Sequence, residues 1–383
     1  MIQAENFIEI AREHGFRRYT GVPCSFLTPF INYVINDNSL SYISSANEGD
    51  ALATAAGSTI GGERAIVMMQ NSGLGNAVSP LTSLAYVFRI PLLIITSLRG
   101  EAGLSDEPQH ELMGMITDKL FDIMQVPWKF FPTAEAQIPA TLERAMQFME
   151  KERRPYALIM KKGTVAPCQL NESRIPRRQS RTARQQVFHN VGVLPTRNEA
   201  LKKIIHNTPD NNFVVIATTG YTGRELFALA DRDNHLYMVG SMGCASSLAL
   251  GLALARPDLT VVVIDGDGAA LMRMGNFGTL GNYAGDNLIH ILLDNEAHDS
   301  TGGQATVTGN ITFADIAAAC GYGVAYGGND ISLIDEVFAS PAESGARFLH
   351  LKIRPGTVEN LPRPDRTPVQ VLDRLMQKIH THF

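Results

Sequence analysis

The chain has little of what marks several classes of protein. Its four cysteines, Cys24, Cys168, Cys244 and Cys320, form no Cys-x-x-Cys pair and have no histidine at zinc-finger spacing. A disulfide-stapled scaffold is excluded, and reduced thiols in a cytoplasmic protein are the expectation. Charge of either sign is sparse: 33 Lys and Arg face 38 Asp and Glu, a net of −5 and a charged fraction of 19%, below the roughly 25% usual for globular chains. Without a basic excess, nucleic acid is not an expected partner. The most apolar stretch, Leu248 to Ala255, falls far short of the ~18 residues that a spanning helix needs, so no membrane partner is expected either. The opening residues MIQAENFIEIAREHGF space Ile2, Phe7, Ile10 and Ala11 along one helical face and carry acids early, unlike a secretory leader.

What is present is a series of short runs rich in Val, Ile, Leu and Met, each closed by Gly, Ser, Asn or Asp and separated by stretches with helical character. Runs of this kind suit parallel strands covered on both faces. The first half offers candidates starting at residues 17, 40, 64, 91 and 156, and the second half at 213, 236, 260, 287 and 347. The first four pairs of starts differ by 196 and the fifth by 191, which predicts two similar doubly wound α/β domains, each with a parallel sheet. At 383 residues the chain has room for two or three cores of roughly 150 residues. Between the halves lies RIPRRQSRTAR, residues 174–184, with five arginines and no acid. It is expected to be a linker or exposed arm, with an anion-binding patch as the functional alternative. The boundaries are therefore set at 1–173, a basic linker at 174–190, and 191–383.

Ligands of such sheets sit beyond the carboxyl ends of the strands. There, Gly266-Asp267-Gly268 follows the run VVVID, and Asn295 closes the next run after 26 intervening residues. Their oxygens suit Mg²⁺, which joins few protein ligands to substrate phosphates, and Gly268 opens a helix whose N–H groups could face a diphosphate. The alternative is an Asp-Gly loop and an Asn that caps its own turn. A dinucleotide fingerprint is disfavoured: its third glycine is replaced by Leu271, and at the other candidate, Gly73-Leu74-Gly75, by Val78.

This spacing, together with GVPCSF, SSANEGDA, NSGLGNAVSPL, GLSDEPQHELMG, GSMG and DNEAHDSTGGQ, resembles the thiamine diphosphate-dependent decarboxylases, in particular those acting on phosphonopyruvate. The resemblance covers nearly the whole chain and implies an amino-terminal pyrimidine-binding domain and a carboxy-terminal diphosphate-binding domain, each of the thiamine diphosphate-binding fold. It implies thiamine diphosphate and Mg²⁺ as cofactors, with Asp267, Asn295 and the carbonyl of Ala297 on the metal, Gly268 and Ala269 on the diphosphate, and Thr219, Gly220 and Thr301 on neighbouring loops. Glu48 matches the carboxylate that meets the aminopyrimidine, Met242 the bulky wedge between the two rings, and Gly240 the carbonyl beside the 4′ amino group. Ser25, His110 and His298 are candidate catalytic groups facing the substrate, with Arg99 a further candidate for its anionic tail. Each has a plainer reading: Glu48 as a helix-start acid, Met242 as core, Ser25 as a cap and the histidines as structural. Cys24 is expected to be a buried thiol, since no base accompanies it. Glu296 departs from the second Asn common in this position.

The expected reaction is decarboxylation of a 2-oxo acid with an anionic tail, phosphonopyruvate giving phosphonoacetaldehyde and CO₂ in phosphonate biosynthesis. Sulfopyruvate or another 2-oxo acid is the alternative substrate. A non-catalytic regulatory oligomer that binds a nucleotide or diphosphate is the alternative of another class. The resemblance also implies self-association, with each active site at a subunit interface.

Overall fold

The computed structural model describes residues 1–171, 192–340 and 345–383, with the backbone of 184–189. The chain divides into two compact units, residues 1–178 and 179–382. In the first, strands β1 (Phe16–Gly21), β2 (Ser41–Ser44), β3 (Arg64–Gln70), β4 (Leu93–Ser97), β5 (Trp128–Phe130) and β6 (Tyr156–Met160) form a sheet of order β2-β1-β3-β4-β6-β5, with every pairing parallel. The second unit contains β7 (Arg184–His189), β8 (Phe213–Ala217), β9 (His235–Tyr237), β10 (Thr260–Gly266), β11 (Leu288–Asp294), a short antiparallel pair β12 (Ala297–His298) and β13 (Gln304–Ala305), then β14 (Val324–Gly328) and β15 (Arg347–Lys352). Its main sheet has the order β7-β14-β15-β11-β10-β8-β9 and is also wholly parallel.

Read from the β9 edge, the second sheet repeats the first strand for strand, with β7 added beyond β14. The starts of β3 and β10, at 64 and 260, differ by 196, and those of β5 and β14, at 128 and 324, differ by the same amount. The central strands are apolar because helices cover both faces: all seven residues of β11 and five consecutive residues of β3 are buried. Two covering helices are buried along nearly their whole length, Glu48–Ile60 and Ala245–Ala255. Small Ala, Gly, Ser and Thr side chains let both lie close against their sheets.

Five strands escape the reading of apolar runs: β5, β7, the two-residue β12 and β13, and β14. β5 is a three-residue edge strand with Lys129 at its centre and two exposed positions, and β14, VAYGG, ends in two glycines. The segment assigned to the basic linker contributes β7 to the second sheet, paired with β14, while the rest of residues 174–190 lies outside the described residues. At the amino terminus the helix Ala4–Glu13 buries Phe7, Ile8 and Ala11, whereas Ile2 precedes it and bridges to Val165.

In a sheet of this order the chain changes winding direction between β1 and β3, and again between β8 and β10. Loops leaving such neighbours diverge to opposite faces and open a crevice. The residues singled out above follow the ends of these and the adjoining strands.

Candidate active site

In the second unit, β10 and β11 run in register with Gly266 opposite Leu293. Asp267 and Asp294 therefore leave adjacent strands side by side, and Asn295 comes next. A cleft of about 480 Å³, open mouth included, lies at the β8/β10 crevice, and its walls include Thr219, Gly220, Met242, Asp267, Gly268, Ala269, Asn295, Ala297 and His298. Nine residues chosen from sequence thus come together in one place. Gly240 and Thr301 do not line it; Thr301 is exposed, and its hydroxyl bonds the His298 carbonyl at 3.2 Å and Gln304 Oε1 at 2.9 Å.

Asp267 is buried, and its Oδ2 accepts hydrogen bonds from Thr306 Oγ1 at 2.6 Å and Thr308 Oγ1 at 3.3 Å. Burial pushes this carboxyl above its ordinary range, the Thr306 hydroxyl opposes the shift, and the charge of Asp294 adds to it. Thr308 Oγ1 lies nearer to Asp294 Oδ1, at 3.0 Å, so its single proton is shared between the two acids and links them. Burial would raise Asp294 too, but His350 Nε2 and Lys352 Nζ, both 2.7 Å from its Oδ2, bring it down to about 2. One acid therefore has its counterion in the protein, while its neighbour is hydrogen-bonded by hydroxyls and sits at higher energy as an anion. A divalent cation on the Asp267 side would reverse that, and the oxygens available there are of the hard type that Mg²⁺ takes.

At Gly268 the floor of the cleft is crowded. A Cβ on Gly268 would stand 3.0 Å from His298 Nδ1 and 3.1 Å from Met242 Cε. Gly220, with φ of 94°, occupies a conformation that favours glycine. A bare backbone flanked by Met242 and His298 suits close approach by a polar group such as a diphosphate, and the donor set fits such a group with its metal.

In the first unit Glu48 opens the helix Glu48–Ile60, capped by Asn47, whose Oδ1 accepts from the N–H groups of Gly49 and Asp50 at 2.8 and 3.1 Å. Glu48 is 9% exposed, and its Oε2 accepts from Asn76 Nδ2 at 2.7 Å. Its carboxyl lies directly over Gly73, where a Cβ would come closer than 3.0 Å. Farther along the same rim, Ser25 is exposed and its Oγ accepts from Arg99 Nη1 at 3.3 Å. Arg99 is held on both its other nitrogens by Asp106, at 2.7 Å from Nε to Oδ2 and through a second bond from Nη2 to Oδ1. The guanidinium draws the Asp106 carboxyl well below the usual carboxylate range. His110 is buried with its Nδ1 unpartnered. Cys24 is buried, its Sγ 3.4 Å from Ser97 Oγ.

Sequence reasoning missed Asn76, Asp106, Asp294, Thr306 and Thr308. Asp294 adjoins Asn295 and was within reach. The threonines have no such signal, because they arrive 39 and 41 residues after Asp267 on a loop of ordinary composition.

The chain is similar to known proteins. Residues 1–122 match the family model described as the thiamine pyrophosphate enzyme N-terminal TPP binding domain, and residues 219–346 match the C-terminal TPP binding domain. A phosphonopyruvate decarboxylase of Streptomyces viridochromogenes is 40% identical over 382 residues, covering 100% of this chain and 96% of that protein. A sulfopyruvate decarboxylase of Methanosarcina acetivorans is 29% identical, covering 98% and 97%. Among solved structures, the thiamine diphosphate-dependent 4-hydroxybenzoylformate decarboxylase of Rhodococcus jostii RHA1 superposes with a TM-score of 0.70 at 15% identity, over 92% of this chain and 99% of that one, a likeness of fold. The chain belongs to the thiamine pyrophosphate enzyme family and is a thiamine diphosphate-dependent decarboxylase.

Proposed function

We propose that the protein decarboxylates phosphonopyruvate to phosphonoacetaldehyde and CO₂, with Mg²⁺ as the metal partner of its cofactor, as a cytoplasmic step of phosphonate biosynthesis. The observation that carries this reading is the match to a phosphonopyruvate decarboxylase, which runs the length of both chains at 40% identity, against 29% for the sulfopyruvate enzyme.

In this reading the unit of residues 191–383 holds the diphosphate and metal, and the unit of residues 1–173 holds the pyrimidine. Asp267, Asn295 and the Ala297 carbonyl hold Mg²⁺. The backbone of Gly268 and Ala269, with Thr219 and Gly220 beside it, would receive the diphosphate, and Met242 and Gly240 would meet the rest of the cofactor. Bound thiamine diphosphate supplies an electron sink for the pair released as CO₂ departs. Glu48 holds a proton at the aminopyrimidine, and Asn76 keeps that carboxyl in place. Ser25, His110 and His298 serve the substrate. Because Asp106 already occupies Nε and one N–H of Nη2 of Arg99, Nη1, now on Ser25, is the nitrogen most available to an incoming phosphonate.

Self-association completes each site from two chains. Support comes from apolar side chains exposed beside both sets of loops: Val239 is 50% and Met272 59% exposed next to the second-unit cleft, and Leu112 is 62% exposed just after His110. The deciding assay measures CO₂ release from phosphonopyruvate and sulfopyruvate at equal concentration, with and without thiamine diphosphate and Mg²⁺. Faster turnover of sulfopyruvate would transfer the assignment to that acid.

A further inference from the structure

We infer that Asp299 is a positioning residue that decides which end of the Asn295 side-chain amide faces the metal, an inference that rests on reading Asn295 as a Mg²⁺ ligand. An amide offers a metal its oxygen and not its nitrogen, so a flipped Asn295 is no ligand at all. Two contacts forbid the flip. Asn295 Nδ2 stands 2.7 Å from Asp299 Oδ2, and the backbone N–H of Ala297 donates to Asn295 Oδ1 at 3.3 Å. Reversal would set two acceptor oxygens against each other at one end and two N–H groups at the other.

Asp299 is itself anchored. The same Oδ2 accepts from Arg197 Nη2 at 2.6 Å and from the N–H of Gly356 at 3.1 Å. Arg197 reaches in the other direction to Glu225 Oε1 at 2.9 Å, and Thr357 donates to that same oxygen at 2.7 Å. The Arg197 and Glu225 side chains are 7% and 1% exposed, so this brace is interior to the unit. Arg197 begins its helix behind the cap Thr196, whose Oγ1 accepts from the N–H of Glu199 at 3.1 Å. The amide of Asn295 is thus oriented through a chain of buried bonds running back to a helix start.

The test measures Mn²⁺ affinity, from the electron paramagnetic resonance signal of free Mn²⁺, in the presence of saturating thiamine diphosphate. The variants are Asn295→Ala, Asp299→Ala, Asp299→Asn and Asn295→Asp, each with its fold checked by circular dichroism melting. Asn295→Ala should lose tight binding. Asp299→Ala should bind Mn²⁺ about 10 to 100-fold more weakly, the range for removing a partner that orients a ligand. Asp299→Asn keeps an acceptor oxygen where Oδ2 meets Asn295, Arg197 and Gly356, and should bind at least about tenfold more tightly than Asp299→Ala. Asn295→Asp sets carboxylate against carboxylate and should bind more weakly than wild type. Wild-type affinity in Asp299→Ala overturns the inference, and so does an Asp299→Asn variant that folds and binds no more tightly than Asp299→Ala. If Asp299→Ala does not fold, Asn295→Asp decides: affinity at or above wild type overturns the inference. Wild-type affinity in Asn295→Ala refutes the ligand reading instead, and the inference with it.

Discussion

Replacing Gly73 by alanine should silence the enzyme while leaving its fold intact. Gly73 is buried, and its backbone has φ of −69° and ψ of −14°, right-handed helical values that alanine adopts freely. The new methyl would gain from a less flexible unfolded chain, worth about 0.4–1 kcal/mol, and its cost is local. The Cβ would stand closer than 3.0 Å to the Glu48 carboxyl group, where carbon contacts normally settle near 3.5–4.0 Å. A carboxyl at the end of a flexible side chain can retreat by about 1 Å, so the fold has no need to give way. Retreat takes Glu48 away from Asn76, its 2.7 Å partner, and out of line with whatever it protonates. A misplacement of about 1 Å costs on the order of 100-fold in rate, equivalent to roughly 2.7 kcal/mol of barrier. The assay is steady-state CO₂ release with saturating cofactor, beside a thermal melt and Glu48→Gln as comparator, which should also lose about two orders of magnitude or more. Turnover of Gly73→Ala within threefold of wild type, with an unchanged melt, would refute the placement of Glu48 at the chemistry.

Four further outcomes follow from the same geometry. Asp267→Ala should lose cofactor affinity, seen as loss of the thermal stabilisation that thiamine diphosphate and Mg²⁺ confer on the wild type; undiminished stabilisation removes Asp267 from the site. Phosphonopyruvate should exceed pyruvate in kcat/KM by far more than the roughly 10 to 200-fold that one apolar methylene commands, and comparable rates would indicate an enzyme indifferent to the tail. Equal amounts of inactive Glu48→Ala and Asp267→Ala proteins, mixed with verified subunit exchange, should regain about a quarter of wild-type activity, because half the dimers are mixed and each has one intact site; a mixture that stays dead places both residues in one chain. Burial, aided by the charge of Arg232, lowers His235 to about 4, so the unfolded chain takes up its proton first. Stability is complete above about pH 6.5 and declines as the pH falls toward 4, by roughly 3 kcal/mol. Urea unfolding at pH 7 and 5 should show a steeper decline for the wild type than for His235→Gln, and parallel declines would count against this.

Much of the frame is legible because a covered parallel strand must be apolar throughout, and such a run is visible without partners. That is why β3, β4, β10 and β11 stand out, and with them the interval of 196. β5 and β14 are hidden because an edge position relaxes the demand for apolar side chains, and glycines blur the run. The site divides in the same way. Asp267 and Asn295 are readable since they follow strand ends that the sheet sets side by side. Thr306, Thr308 and Arg197 act through contacts between segments far apart in sequence, which no spacing announces. Arg99 illustrates a third case: its charge suggested a tail-binding group, but two of its five N–H donors are committed to Asp106 seven residues later.

The repeated strand order means that the polypeptide carries one frame twice, and the two copies can be compared position by position at their rims. Seven residues after the first residue of β2 stands Glu48, and seven after the first of β9 stands Met242. Seven after the first of β3 is Asn71, and seven after the first of β10 is Asp267; six after the first of β4 is Arg99, and six after the first of β11 is Asp294. An acid is matched by a thioether, an amide by an acid, and a guanidinium by a carboxylate. The two copies thus share a strand ladder and differ in chemistry at corresponding addresses, as expected where strands need only pack and loops bear the function. Each half is in effect a control for the other: a rim residue that differs in kind from its counterpart marks where the two halves do different work, and Asp299, Thr306 and Thr308 lie in the stretch between β11 and β14 where only the second copy has the β12–β13 pair.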